Sequence, residues 1–185
     1  MVLDKYFLES NECVLLIIDI QDKLAAVMKE RDSVVKNNLV LIELSKMLKI
    51  PVVVTEQYPK GLGRTVPEIR AVVSEYRPVE KMTFNCCGEP AFFSEIKKSN
   101  RKKIIITGME THICVLQTTA GLLRDGFIAH VVEDAVCSRT KENWRTGTKF
   151  MRDAGAVVTC TETVLFQLLG VAGTEEFRAV SRMIK

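Results

Sequence analysis

Residues 102–134 read KKIIITGMETHICVLQTTAGLLRDGFIAHVVED, and this stretch decides the fold. KKIIITG (102–108) is a short, nearly continuous apolar run, the pattern of a strand buried on both faces. Thr107-Gly108 ends it, a few polar residues follow, and Leu116, Thr119, Leu122 and Leu123 then give a helix an apolar side to bury. Asp125-Gly126 closes that helix, and FIAHVVED (127–134) is a second apolar run. Strand, helix and strand in about thirty residues make a crossover unit, which joins parallel strands.

The alternation continues outward in both directions. Upstream, CVLLIID (13–19) reads as a first strand, followed by a helix from about Ser33, its expected cap, to Leu48. PVVVT (51–55) is the second strand, and a loop with Pro59, Gly61, Gly63 and Pro67 follows. A short third strand is expected near Arg77 to Met82, and Glu89-Pro90 starts a helix to about Lys98. Downstream lie a helix from about Lys141 to Ala154, a strand AVVTC (156–160) and a helix capped by Thr161. Thr174 caps a last amphipathic turn or two. The pattern predicts an α/β fold of three layers, a six-stranded parallel sheet with helices on both faces. Without repeats, linkers or low-complexity tracts, residues 1–185 are expected to form a single domain.

Composition narrows the function. The 185 residues are 47% hydrophobic and 26% charged, an ordinary globular balance. Net charge is +3 with both signs interspersed, and no basic stripe carries interleaved aromatics, so nucleic acid is not an expected partner. No apolar run approaches the length of a membrane span, and the acidic start MVLDKYFLESNE lacks a signal-peptide core. The six cysteines form no CxxC pair, which predicts free thiols and a cytoplasmic setting. Only His112 and His130 are available, too few for a histidine metal cage, and a Ser-His-Asp triad is disfavoured.

Ligands of such sheets bind at the carboxyl ends of the strands, where strand order reverses. Three polar residues fall on that edge: Asp19 after the first strand, Lys81 at the third, and Cys114 at the start of the helix after the fourth. Taken singly, Asp19 is a turn residue, Lys81 a surface lysine and Cys114 core filling. Together they make a device for acyl transfer without histidine. The helix N-terminus and the ammonium favour a thiolate, and the carboxylate moves the proton. N–H groups at the helix start stabilise an oxyanion. DIQDK after the first strand is not a glycine-rich phosphate loop, which disfavours a nucleotide binder.

Four segments in order resemble the isochorismatase-like cysteine hydrolases: LLIIDIQDKL, VEKMTFNCC, ITGMETHICVLQTTAGLLRDG and VVEDAVCSRT. The resemblance covers nearly the whole chain and implies that family's Rossmann-like topology. It implies Asp19 as acid/base, Lys81 as electrostatic support and Cys114 as nucleophile. It also implies a cis Met109-Glu110 peptide, with the N–H groups of Glu110 and Cys114 as the oxyanion hole. Gln21, Glu56, Tyr58, Phe84 and His112 are the implied substrate contacts. Metal-binding members carry histidines just after the second strand. TEQYPKGLG has none there and resembles the metal-free subgroup, so no metal or cofactor is expected. The implied activity is hydrolysis of a small amide, carbamoyl or related acyl substrate through a Cys114 thioester, in a homo-oligomer. The alternative is a catalytically silent scaffold of the same fold.

Overall fold

The computed structural model describes residues 3 to 184. Among them, Cys13–Ile18 (β1), Val52–Gln57 (β2), Val79–Lys81 (β3), Lys103–Met109 (β4), Ile128–Cys137 (β5) and Val157–Thr159 (β6) build one sheet. Its order is β3-β2-β1-β4-β5-β6, and every pairing is parallel. The helices are Asp22–Ala25 (α1), Arg31–Met47 (α2), Pro59–Leu62 (α3), Pro67–Val72 (α4), Pro90–Lys98 (α5), Leu116–Arg124 (α6), Lys141–Asp153 (α7), Thr161–Leu169 (α8) and Glu175–Met183 (α9).

Side chains of a strand point alternately to its two faces, and this divides β1 between two cores. Cys13, Leu15 and Ile17 join Leu41 and Leu44 of α2, Val164 and Leu165 of α8, and Val180 of α9. Val14, Leu16 and Ile18 join Phe92 and Ile96 of α5, Leu122 of α6 and Met151 of α7. Helices therefore cover both faces, and β1 is buried throughout.

Several boundaries differ from the sequence expectation. β2 continues to Gln57 rather than ending at Thr55, and β5 runs on to Cys137 rather than Asp134. The loop rich in proline and glycine holds α3 and α4, each with a proline in its first turn, where a missing N–H costs nothing. Ser33 lies inside α2, which is capped at Glu30, and its hydroxyl donates back to the Glu30 carbonyl. Thr161 is the first helical residue of α8 and not its cap. Thr174 does cap α9, accepting from the N–H of Phe177, and that helix is longer than the turn or two expected. No described helix is long and apolar enough to cross a membrane.

Candidate active site

The order of the sheet reverses between β1 and β4, and the strand ends there deliver the chemistry. Asp19 follows β1 in a left-handed conformation, φ 52°, which aspartate tolerates better than most residues. Its N–H donates to the Thr55 carbonyl and its own carbonyl accepts from the N–H of Gln21. β4 reaches the same edge because Gly108 has no side chain. A Cβ there would lie 2.0 Å from the Ile18 carbonyl oxygen, at a φ of 123°. The next peptide, Met109-Glu110, is cis. A wide π-type turn over Thr111–Val115 then carries Cys114 into α6.

Asp19 and Lys81 form an ion pair of 2.6 Å with both side chains fully buried. The second carboxylate oxygen accepts from Thr55 Oγ1 at 2.7 Å. Lys81 Nζ also donates to Gln57 Oε1 at 2.7 Å and to the carbonyls of Thr83 and Phe84 at 3.3 and 3.5 Å. Burial alone would pull the ammonium towards neutrality, and Asp19 beside it reverses this and holds its pKa above the usual lysine value.

Cys114 lies beside this pair, 5% exposed. Burial, and then the Asp19 carboxylate, raise its pKa, and the opposing charge of Lys81 does not offset them. The helix N-terminus and the ammonium were expected to favour the thiolate, and burial with Asp19 outweighs them. The residue precedes α6 in a desolvated turn, and at rest it carries its proton.

The implied substrate contacts are dispersed. Gln21 is fully buried, and its amide is occupied by the protein. It donates to the carbonyls of Gln57 and Gly63 at 3.0 and 2.7 Å and accepts from the N–H of Gln57 at 2.7 Å. Glu56 faces away from Asp19. Its Oε1 accepts from Thr65 N and Oγ1 at 2.6 and 2.9 Å, and from the Tyr76 hydroxyl. Both side chains hold the loop after β2 in place. Tyr58 and Phe84 are about half exposed on the segments flanking Lys81, and the Tyr58 N–H donates to the Lys81 carbonyl. His112 Nδ1 lies 3.0 Å from Ser138 Oγ. The Glu110 carboxylate takes Arg139 N and Nε at 3.0 and 3.2 Å.

Sequence reading passed over Thr55 and Gln57, which do reach the Asp19–Lys81 pair. The signal was the period of two in PVVVTEQ. Once β2 extends to Gln57, Thr55 and Gln57 share a face and Glu56 takes the other. Cys86, one of the six thiols expected to be free, is fully buried near Asp19 and Lys81. A cavity of about 690 Å³ lies elsewhere, between the starts of α2 and α7, and none of the three reactive residues lines it. The carboxylate, ammonium and thiol converge instead at the strand edge. Among the described residues, no three His, Cys, Asp or Glu side chains gather as a metal site would need.

Comparison with known proteins gives the family and the fold. The isochorismatase-domain family model matches residues 13–163. Isochorismatase family protein 1A of Dictyostelium discoideum is 35% identical over 94% of this chain and 86% of its own length. A structure named MAR1 ribonuclease, from Caenorhabditis elegans, superposes with a TM-score of 0.89 at 36% identity, over 96% of this chain and 92% of that one. The YcaC gene product of Escherichia coli, described as an octameric hydrolase of unknown specificity, has the same fold. Its TM-score is 0.90 at 23% identity, over 96% of this chain and 90% of that one. By the extent of the family match and the identity to these relatives, the chain belongs to the isochorismatase-domain family.

Proposed function

We propose that this protein is a cysteine hydrolase acting on small amide, carbamoyl or related acyl substrates. One observation carries the reading: the Cys114 thiol is buried beside the 2.6 Å Asp19–Lys81 pair, at the edge where strand order reverses. As the sulfur attacks the acyl carbon, Asp19 takes the thiol proton and returns it to the leaving amine as the C–N bond breaks. The N–H groups of Glu110 and Cys114 stabilise the oxyanion on the way to a thioester. Water, deprotonated by Asp19, then attacks the thioester, the acid leaves and the thiol is restored. Lys81 keeps the carboxylate in place and favours the sulfur anion when it forms. Tyr58 and Phe84 contact the apolar part of the substrate, and His112 contributes at the turn. Because the resting sulfur is protonated, nucleophilicity waits until a substrate is bound.

The test is a panel of small amides, carbamoyl compounds and esters, with mass spectrometry of the Cys114 peptide for a trapped acyl group. Cys114→Ala is expected to abolish turnover, and Asp19→Asn to lower it about 100-fold or more. Alkylation separates the two partners' roles. Lys81→Ala slows iodoacetamide at Cys114, whereas Asp19→Asn does not, because Asp19 raises the thiol pKa and Lys81 opposes it. Turnover that survives Cys114→Ala sinks the reading. RNA belongs in the panel because the Caenorhabditis elegans relative is named a ribonuclease. A silent panel together with a stoichiometric protein partner would favour the scaffold. We propose also that the chain self-associates, as the YcaC product does.

A further inference from the structure

β5 carries an irregularity beside the reactive turn. Ile106 pairs with Val131 and Gly108 with Val136, so β4 advances two residues while β5 advances five. β6 pairs only with His130, Val131 and Val132. Glu133, Asp134 and Ala135 therefore lie outside the register of both neighbours, in a bulge three residues deep. Ala135 is buried, Glu133 half-buried and Asp134 exposed, and the carbonyl of each, left out of the ladder, is met by a side chain. Trp144 Nε1, on α7, donates to Glu133 O at 3.0 Å. Asn37 Nδ2 donates to Asp134 O at 2.7 Å and Asn38 Nδ2 to Ala135 O at 3.3 Å, both from α2. The bulge is gripped from both faces of the sheet.

Asn38 does more. It is fully buried, and its Oδ1 accepts from Thr107 Oγ1 at 2.6 Å, one residue before Gly108. One amide thus ties α2 to the bulge of β5 and to the end of β4. Beyond the bulge, the chain reaches the reactive turn through Ser138 to His112 and Arg139 to Glu110. A change of register in the bulge would withdraw Ser138 and Arg139 from that turn.

We propose that Asn38, with Asn37 and Trp144, is a positioning set for the reactive turn, holding the β5 bulge at the register that delivers Ser138 and Arg139 to the residues around Cys114. None of the three forms a hydrogen bond with Cys114 among the described residues. The inference rests on the reading of Cys114 as nucleophile, and it is tested by two measurements that do not share that assumption.

The first is the iodoacetamide rate at Cys114, followed by peptide mapping at a temperature where every variant is folded. The second is the proton NMR signal of the His112 ring, easily assigned because the chain has two histidines. The variants are Asn37→Ala, Asn38→Ala and Trp144→Phe. The last keeps the ring, removes only the N–H, and is retained as the test if Asn38→Ala does not fold. Ile96→Val in α5 is the control for loss of stability without loss of the bulge. Trp144→Phe and Asn38→Ala are expected to move the His112 signal and to change the Cys114 rate about ten-fold, since misplacing a reacting group by about 1 Å costs on the order of 100-fold. The control is expected to move neither. An unchanged His112 signal and an unchanged rate in folded variants overturn the proposal, as do equal changes in the control. If turnover of the amide panel survives Cys114→Ala, the nucleophile reading fails. A His112 signal that still moves then upholds the positioning role by itself.

Discussion

A buried ion pair such as Asp19–Lys81 is a poor device for stability, because desolvating two charges costs about as much as their attraction returns. What it does is keep a carboxylate dry and adjacent to a thiol, the arrangement the proposed chemistry needs. Asp19, Lys81 and Cys114 were legible in the sequence because each stands at a strand end or turn that the apolar runs delimit. The raised pKa of Cys114 was not legible, since it follows first from burial, which only coordinates reveal. His130 shows the same limit. Within the run FIAHVVED it gave no signal, yet it is 1% exposed, with Nε2 lacking a hydrogen-bond partner among the described residues. Burial lowers its pKa to about 4 from the usual 6.5 of a histidine. Between those values the unfolded chain binds a proton that the folded chain refuses, so stability falls as pH drops from 6.5 towards 4 and the effect is complete below. The loss attributable to this residue is on the order of 3 kcal/mol. Urea titrations across that window are expected to show a shallower pH dependence for His130→Gln than for wild type. Parallel curves would mean that the imidazole takes up its proton in the fold.

Helices and strands carry the next constraint. The turn holding Cys114 is seated against α7, and the contact depends on Gly147. A Cβ there would lie 3.0 Å from His112 Cα, from His112 N and from Thr111 C, all backbone atoms with little room to yield. Gly147→Ala would gain about 1 kcal/mol in helix propensity but lose about 1–3 kcal/mol to overpacking. Overpacking is expected to win, lowering Tm by roughly 2–4 °C for a chain of this size. A melting temperature above wild type would show the turn to be soft. Nothing in KENWRTGTKFMRD distinguishes this glycine from an ordinary weak point in a helix, so its role appears only in three dimensions. The ends of β2 and β5 escaped for a related reason. The polar pairs Glu56-Gln57 and Glu133-Asp134 break the apolar runs, and the extended form there and beyond is imposed by neighbours: Lys81 pairs with Gln57, and Met109 with Cys137.

At the scale of the molecule, the parallel sheet and its two helical layers were readable from alternation alone, because buried parallel strands must be apolar on both faces. The strand order was not, since nothing local says that β1 lies between β2 and β4. The surface likewise appears only in the folded chain. Met82, Phe84, Phe150 and Phe166 remain exposed. Such apolar side chains are the surface that the self-association proposed above would cover. Light scattering on a size-exclusion column is expected to give a mass several times the 20.8 kDa of one chain. A species of one chain's mass at micromolar concentration would exclude it.

The central place of β1 has a consequence for how the protein is made. Synthesis runs from the N-terminus, so β1 gains β2 early, but its other neighbour begins only at Lys103. Through that interval the most apolar strand of the sheet, CVLLII, has an open edge able to pair with any extended chain nearby. The feature that later places Asp19 opposite Cys114 makes the half-built chain sticky, and puts a premium on rapid elongation through residue 109.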